Sequence, residues 1–301
     1  MHVQGAQERP DHLNPEIGRA VADPADRPSR PGEIGPGFRS DKWSGYMRGL
    51  KDRVAIVTGA AGGIGQAICA RFIDEGVKLV AADVNAAALR EVAETLQARG
   101  GNVLPLAFDI TSAADVAEAV AKAAAHFGHI DVLVNNAGWD IAKPFLETDP
   151  ELWDKIIAIN LRGPLNLHKA VLPRMIEGGG GKVINIASDA GRVGSSGESV
   201  YAACKGGLIS FSKTVAREYA RNNVRVNVVC PGPTDTALLR SFVGEGEYGQ
   251  KIYDKLQKSI PLKRLGQPDD IPGMVAFFAS SDADFMTGQV ISVSGGLTMH
   301  G

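Results

Sequence analysis

Val54-Ala55-Ile56-Val57 is an apolar run that leads directly into Thr58-Gly59-Ala60-Ala61-Gly62-Gly63-Ile64-Gly65. Few folds accept that junction. A buried strand must end where glycines permit a tight turn, and a helix must begin inside the glycine cluster. Residues 64–75 read as that helix, closed by Gly76. The alternation then continues to the end of the chain. Strands are expected over 77–82, 103–108, 132–134, 183–187, 224–229 and 290–293, and helices over 86–98, 113–127, 150–176, 200–222 and 271–279. The strand segments are apolar at successive positions, which requires cover on both faces. The expected fold is α/β, one doubly wound parallel sheet with helices on both faces.

The hydrophobic share of 44% in 301 residues is ample for a full core, and the patterned part, about 255 residues, reads as one domain. A formal net charge of −2 gives no footprint for nucleic acid or an anionic membrane surface. No apolar run approaches the roughly 18 residues of a membrane helix. Cys69, Cys204 and Cys230 lack metal-ligand spacing, so no metal is expected. An odd, sparse set of thiols fits a reducing compartment, and the expected location is cytoplasmic. Residues 1–46 are rich in Pro, Gly, Arg and Asp without hydrophobic periodicity. They read as a disordered N-terminal extension, or alternatively as a docking arm, with the catalytic domain over 47–301 opening at Met47.

The glycines carry the first chemical signal. Gly59, Gly63 and Gly65 follow a Gly-x-x-x-Gly-x-Gly spacing. They suit a tight turn, close approach of a pyrophosphate and close helix–strand packing. Asp83 ends the second expected strand, where its carboxylate can accept both hydroxyls of an adenosine ribose and repel an extra phosphate. No Arg or Lys lies in the glycine loop. The expected cofactor is therefore NAD. The other reading of Asp83 is a helix N-cap ahead of Asn85. Asp109 ends the third strand before Ile110 and suits either an adenine contact or a helix cap.

Tyr201 and Lys205, four residues apart on an expected helix, share one face. A phenol has a pKa near 10. A neighbouring ammonium and an oxidised nicotinamide would both favour the phenolate and bring it into use as a base. Ser188, thirteen positions earlier at a strand end, can bind the oxygen of a substrate. These groups point to hydride transfer at a carbon bearing oxygen.

Together, Thr58 to Gly65, Asn135-Asn136-Ala137-Gly138, Asn160, Ser188, Tyr201-x-x-x-Lys205 and Pro231-Gly232 resemble the short-chain dehydrogenase/reductase family over residues 49–301. The resemblance implies a Rossmann-type sheet of strand order 3-2-1-4-5-6-7 and a homotetramer. It implies Tyr201 as acid/base, Lys205 as its helper, Ser188 as carbonyl ligand and Asn160 as part of a proton relay. It also implies that Asn135 and its neighbours tie the central strand to the cofactor loop. Ile64, Ile110, Asn136, Ala137 and Gly138 are expected at the cofactor, with Pro231, Gly232 and Thr234 near the nicotinamide amide. Pro164 lacks the N–H that would bond the Asn160 carbonyl. A kink there, serving either a water relay or packing alone, is expected.

A closer likeness lies in Trp139-Asp140, Lys143-Pro144-Phe145, the run 188–198 and the ending 289–299. It resembles family members that oxidise a ring-bearing β-hydroxyacyl-CoA with NAD. Trp139 could then pack on a ring and Arg192 meet a thioester or CoA phosphate; a packing aromatic and a surface cation stand equally. Residues 235–261 look like a mobile lid with Leu238, Leu239 and Phe242 facing inward. The alternatives are a 3-oxoacyl-thioester reductase using NADPH and a non-catalytic nucleotide-binding regulator.

Overall fold

Successive residues of each central strand enter two different cores. Ala55 and Val57 pack on one side with Phe72, Leu89 and Val275, while Ile56 packs on the other with Val116, Leu167 and Val215. The same division separates Leu79 and Ala81 from Val80, and Val132 and Val134 from Leu133. This is the period of two expected of a strand covered on both faces. Each fully buried Val, Ile or Leu contributes about 1.5–3 kcal/mol, so the sheet holds both helical layers to itself.

The structure, a computed structural model, describes residues 47–243 and 246–299. The expected extension over 1–46 lies outside them. Strands β1 (Val54–Thr58), β2 (Lys78–Asp83), β3 (Val103–Ala107), β4 (Val132–Asn135), β5 (Gly181–Ile186), β6 (Val224–Pro231) and β7 (Val290–Val293) form one sheet of order β3-β2-β1-β4-β5-β6-β7. Every pairing is parallel. The order reverses between β1 and β4, which opens a crevice at the strand carboxyl ends.

Helices α1 (Gly63–Asp74), α2 (Ala86–Ala98) and α3 (Ala113–Phe127) follow the first three strands. Asn85 caps α2 by accepting from the Ala88 N–H, and Ser112 caps α3 by accepting from the Asp115 N–H. Asp83 and Asp109 are therefore not the caps of these helices. The stretch expected as a single helix over 150–176 is divided. Helix α4 (Pro150–Ile157) passes through a π turn (Ala158–Arg162) into α5 (Gly163–Glu177). In that turn the Gly163 N–H donates to the Ala158 carbonyl five residues back. The missing N–H of Pro164 is absorbed by widening the helix, a common setting for π turns. A short turn, α6 (Ala190–Val193), precedes α7 (Ser199–Tyr219). Helices α8 (Ala237–Val243), α9 (Gly246–Ser259) and α10 (Pro272–Ala279) follow β6.

Beneath the crevice lies a buried polar network. Asn135 donates to Asn185 at 2.7 Å, and Asn185 donates to Ser212 at 2.8 Å. His168 Nδ1 lies 2.7 Å from the Pro164 carbonyl, which can only accept, so Nδ1 carries the hydrogen. Burial lowers the pKa of His168 to about 4. The folded protein thus holds it neutral, whereas the unfolded chain protonates it near 6.5. Its contribution is present above pH 6.5 and lost as pH falls through 4. The difference in unfolding free energy between wild type and His168→Asn is expected to shrink by about 3 kcal/mol from pH 7 to pH 4, as read by denaturant titration.

Candidate active site

The glycine loop is shaped by contacts that leave no room for side chains. Gly59 adopts φ +66°, and a Cβ on Gly65 would lie 1.9 Å from the Gly59 carbonyl oxygen. Asn136 braces the loop, donating from Nδ2 to the Thr58 and Gly59 carbonyls at 3.0 and 3.2 Å. The Thr58 hydroxyl returns the contact by accepting from the N–H groups of Asn136 and Ala137. The tie from central strand to loop is therefore made by Asn136, while Asn135 turns to Asn185. Gly62 caps α1 without a side chain, and no acidic residue stands in its first turn. The positive end of α1 is left open to an anion. A nicotinamide dinucleotide fits this cradle. Gly65→Ala is expected to weaken its binding about 10–100-fold, from overpacking of about 1–3 kcal/mol; calorimetric titration with the cofactor checks it.

A cavity of about 1150 Å³ runs from this loop across the carboxyl ends of the strands. Gly59, Gly63, Ile64, Gly65, Asp83, Asp109, Ile110, Asn136, Ala137 and Gly138 line it on one side. Ser188, Tyr201, Lys205, Pro231, Gly232, Thr234 and Leu238 line it on the other. Asp83 accepts from the Ala61 N–H at 3.0 Å and from the Asn85 N–H at 2.9 Å. A carboxylate offers about four acceptor positions, so it retains capacity for ribose hydroxyls. Asp109 accepts from the Thr111 N–H at 2.8 Å.

Tyr201 and Lys205 lie on α7, with the Lys205 Nζ 5.4 Å from the phenol ring centre. Nζ donates to the Ile186 carbonyl at 3.0 Å, which anchors it at the end of β5. Ser188 follows that strand, and its hydroxyl stands near enough to the phenol to act on its pKa. Burial, then the carboxylate of Glu198, raises the Tyr201 pKa, and the Ser188 hydroxyl opposes the rise. Burial lowers that of Lys205 to about 8. Asn160 is buried outside the cavity lining. Its amide donates to the Trp139 carbonyl at 2.6 Å and to the Ile156 carbonyl at 2.9 Å, and its Oδ1 accepts from the Trp139 N–H. The side chain thus clamps the loop after β4.

Trp139 and Arg192, expected at the substrate, are not among the cavity-lining residues. The Lys155 ammonium covers the Trp139 ring at 3.8 Å. Arg192 donates to the Ser292 hydroxyl at 2.8 Å, and Ser292 in turn donates to Asp189. That chain ties the segment after Ser188 to β7. Leu238 and Leu239 of α8 and Ile252 and Leu256 of α9 line the cavity; the Phe242 side chain and Gly244 lie outside the described residues. Val84, Lys155 and Glu198 also line it without an advance signal in the sequence. Among the described residues no cluster of His, Cys, Asp and Glu could hold a metal, and no helix is long and apolar enough to cross a membrane.

A family model described as enoyl-(acyl carrier protein) reductase matches residues 59–298. The chain belongs to the short-chain dehydrogenase/reductase family. Among its relatives, the 3-oxoacyl-(acyl-carrier-protein) reductase FabG of Thermotoga maritima is 35% identical over 250 residues, which is 83% of this chain and 99% of that protein. The acetoacetyl-CoA reductase of Allochromatium vinosum is 35% identical, covering 82% of this chain and 99% of that protein. The solved structure of the 3-ketoacyl-(acyl-carrier-protein) reductase from Brucella melitensis, complexed with NADH, superposes with a TM-score of 0.76. It is 33% identical, covering 83% of this chain and 100% of that one. This short-chain dehydrogenase/reductase is thus an oxidoreductase built on the expected strand order.

Proposed function

We propose that the chain interconverts a 3-oxoacyl thioester and its 3-hydroxyacyl form, with NAD(H) as the hydride carrier. The observation that carries this reading is the arrangement of Ser188, Tyr201 and Lys205 on the wall of the cavity that also holds the glycine loop. A bound nicotinamide supplies or accepts the hydride. Ser188 and Tyr201 hold the substrate oxygen between two hydroxyls. In reduction the Tyr201 phenol gives its proton to that oxygen; in oxidation the phenolate takes it back. The Lys205 ammonium favours the phenolate.

The relatives named for 3-oxoacyl and acetoacetyl thioesters support the substrate class and the reductive direction. Asp83 supports NAD(H) over NADP(H), because among the described residues the cations lining the cavity are Lys155 and Lys205, and the residue next to Asp83 on the cavity wall is Val84. The residue runs at 139–140 and 188–198 favour a second reading, NAD-linked oxidation of a ring substrate such as 2-hydroxycyclohexanecarboxyl-CoA; the relatives favour the reductase. Consumption of NADH and of NADPH with acetoacetyl-CoA, followed by absorbance, tests the first reading. Formation of NADH from NAD with the ring substrate tests the second. Turnover of neither substrate would remove the thioester assignment, and failure to bind either cofactor would favour the regulator. In this reading residues 47–301 are the catalytic domain, working in the cytoplasm as a homotetramer, and a chain beginning at Met47 keeps full activity. Sedimentation of the purified protein tests the assembly.

A further inference from the structure

Asp140 is 3% exposed, and neither of its carboxyl oxygens has a hydrogen-bond partner. Buried polar groups are nearly always paired, and leaving one unpaired costs about 1–3 kcal/mol. A position kept only for packing would be better filled by an apolar or amide side chain. Asp140 is one residue beyond the Trp139 peptide, whose N–H and carbonyl are both held by Asn160. The loop that carries it is held at the start of α7: the Lys143 N–H donates to the Gly197 carbonyl at 2.9 Å, and a Cβ on Gly138 would lie 3.5 Å from the Lys205 Nζ. Across that junction its charge acts on Lys205, Tyr201 and Cys204, and the charge of Glu198 acts on it. Its own loop offers only the Ile141 N–H, which closes no hydrogen bond of normal geometry. Glu198 lines the cavity three residues before Tyr201. Tyr201 also faces the buried Cys230 thiol, and Lys205 faces Cys204 and Cys230.

We infer that Asp140 and Glu198 form a carboxyl pair that holds the proton on Tyr201 and so sets the pH window of the reaction. This rests on the assignment of Tyr201 as acid/base. Burial raises the phenol pKa most, and both carboxylates add to the rise, Glu198 more than Asp140. Asp140 is also the carboxylate that supports the ammonium form of the buried Lys205. Burial lifts Asp140 to about 7, so its charge develops as the solution turns alkaline. At that point Tyr201 is otherwise closest to losing its proton. The pair therefore extends the range in which Tyr201 is a proton donor, which favours ketone reduction over alcohol oxidation near neutral pH. Asp140 and Glu198 are positioning residues in this account; the reacting oxygen is met by Ser188 and Tyr201.

The test is the pH profile of kcat for NADH-dependent acetoacetyl-CoA reduction in wild type, Asp140→Asn, Glu198→Gln and Tyr201→Phe. Both carboxyl variants are expected to move the alkaline limb down by about one pH unit, a tenfold fall in rate at a fixed pH on that limb. Glu198→Gln carries the test should Asp140→Asn fail to fold, because Glu198 is only half-buried. An unmoved limb with an inactive Tyr201→Phe overturns the inference and leaves the tetrad standing. An active Tyr201→Phe overturns the tetrad. Should wild type reject acetoacetyl-CoA, the phenolate absorbance of NAD-saturated protein, taken as wild type minus Tyr201→Phe, is titrated instead. Its midpoint must fall in Glu198→Gln, and an unchanged midpoint overturns the inference.

Discussion

Tyr201→Phe is expected to lower kcat by about 10²–10⁴-fold, the usual share of a positioned acid or base, while cofactor affinity changes little. The ring remains to pack on α7, so the fold has no reason to give way. The substrate oxygen then keeps one partner, Ser188, and loses the group that moves its proton. Lys205 cannot take over. Its Nζ is held by the Ile186 carbonyl and lies 5.4 Å from the ring centre. Burial lowers its pKa to about 8, which is still above neutral pH, so near pH 7 it stays a charge beside the phenol. Removing that charge through Lys205→Met should reduce kcat by a similar order and, because Lys205 lines the same cavity as the glycine loop, is expected also to weaken cofactor binding. The two variants therefore separate in KM for the cofactor. Single-turnover measurement of NADH consumption reads the chemical step directly. A Phe variant that retains wild-type kcat would assign the proton transfer elsewhere.

The strands and the glycine loop were legible because their causes are local, whereas the strand order was legible only through the family resemblance. A strand such as Val54–Thr58 serves two cores at once, so it must be apolar at every position. The spacing of Gly59 and Gly65 reflects one close approach, that of a Cβ to the Gly59 carbonyl. What stayed hidden depends on partners far apart in sequence. Arg192 reads as a surface cation until Ser292, a hundred residues on, is brought beside it. The burial of Asp140 has no local sign in the sequence; it is 3% exposed, and its carboxyl stands unpaired beside a Trp139 peptide that the distant Asn160 clamps. Asn135 and Asn136 are adjacent in an identical residue type, and only the register of β4 against β5 sends the first to Asn185 and the second to the loop. The π turn was not legible either. Pro164 forbids one hydrogen bond, but the local sequence does not say whether the helix bends or widens; the Gly163 N–H bond to the Ala158 carbonyl, five residues back, marks the widening.

Asp83→Asn combined with Val84→Arg is expected to shift the ratio of kcat/KM for NAD(H) over NADP(H) by about 10²–10³-fold toward NADP(H). Two effects add. The amide no longer repels a ribose phosphate, and an arginine can pair with it through charge-assisted hydrogen bonds of about 1.5–3 kcal/mol. Val84 is the place for that arginine, since it is 72% exposed and lines the cavity next to Asp83. The choice of Asn over Ala matters. Asp83 accepts from the Ala61 and Asn85 N–H groups, and an alanine would leave both without their acceptor, loosening the loop for either cofactor. The two bonds go to different oxygens, so Asn keeps an acceptor for one of them, and a change in preference can be told from a loss of structure by a Tm that falls only slightly. The single variant Asp83→Asn should weaken NAD(H) without improving NADP(H) much, because removing repulsion supplies no attraction. A double variant whose preference stays with NAD(H) would place the selecting contact outside the end of β2, and Asp83 would then be only the brace of the glycine loop.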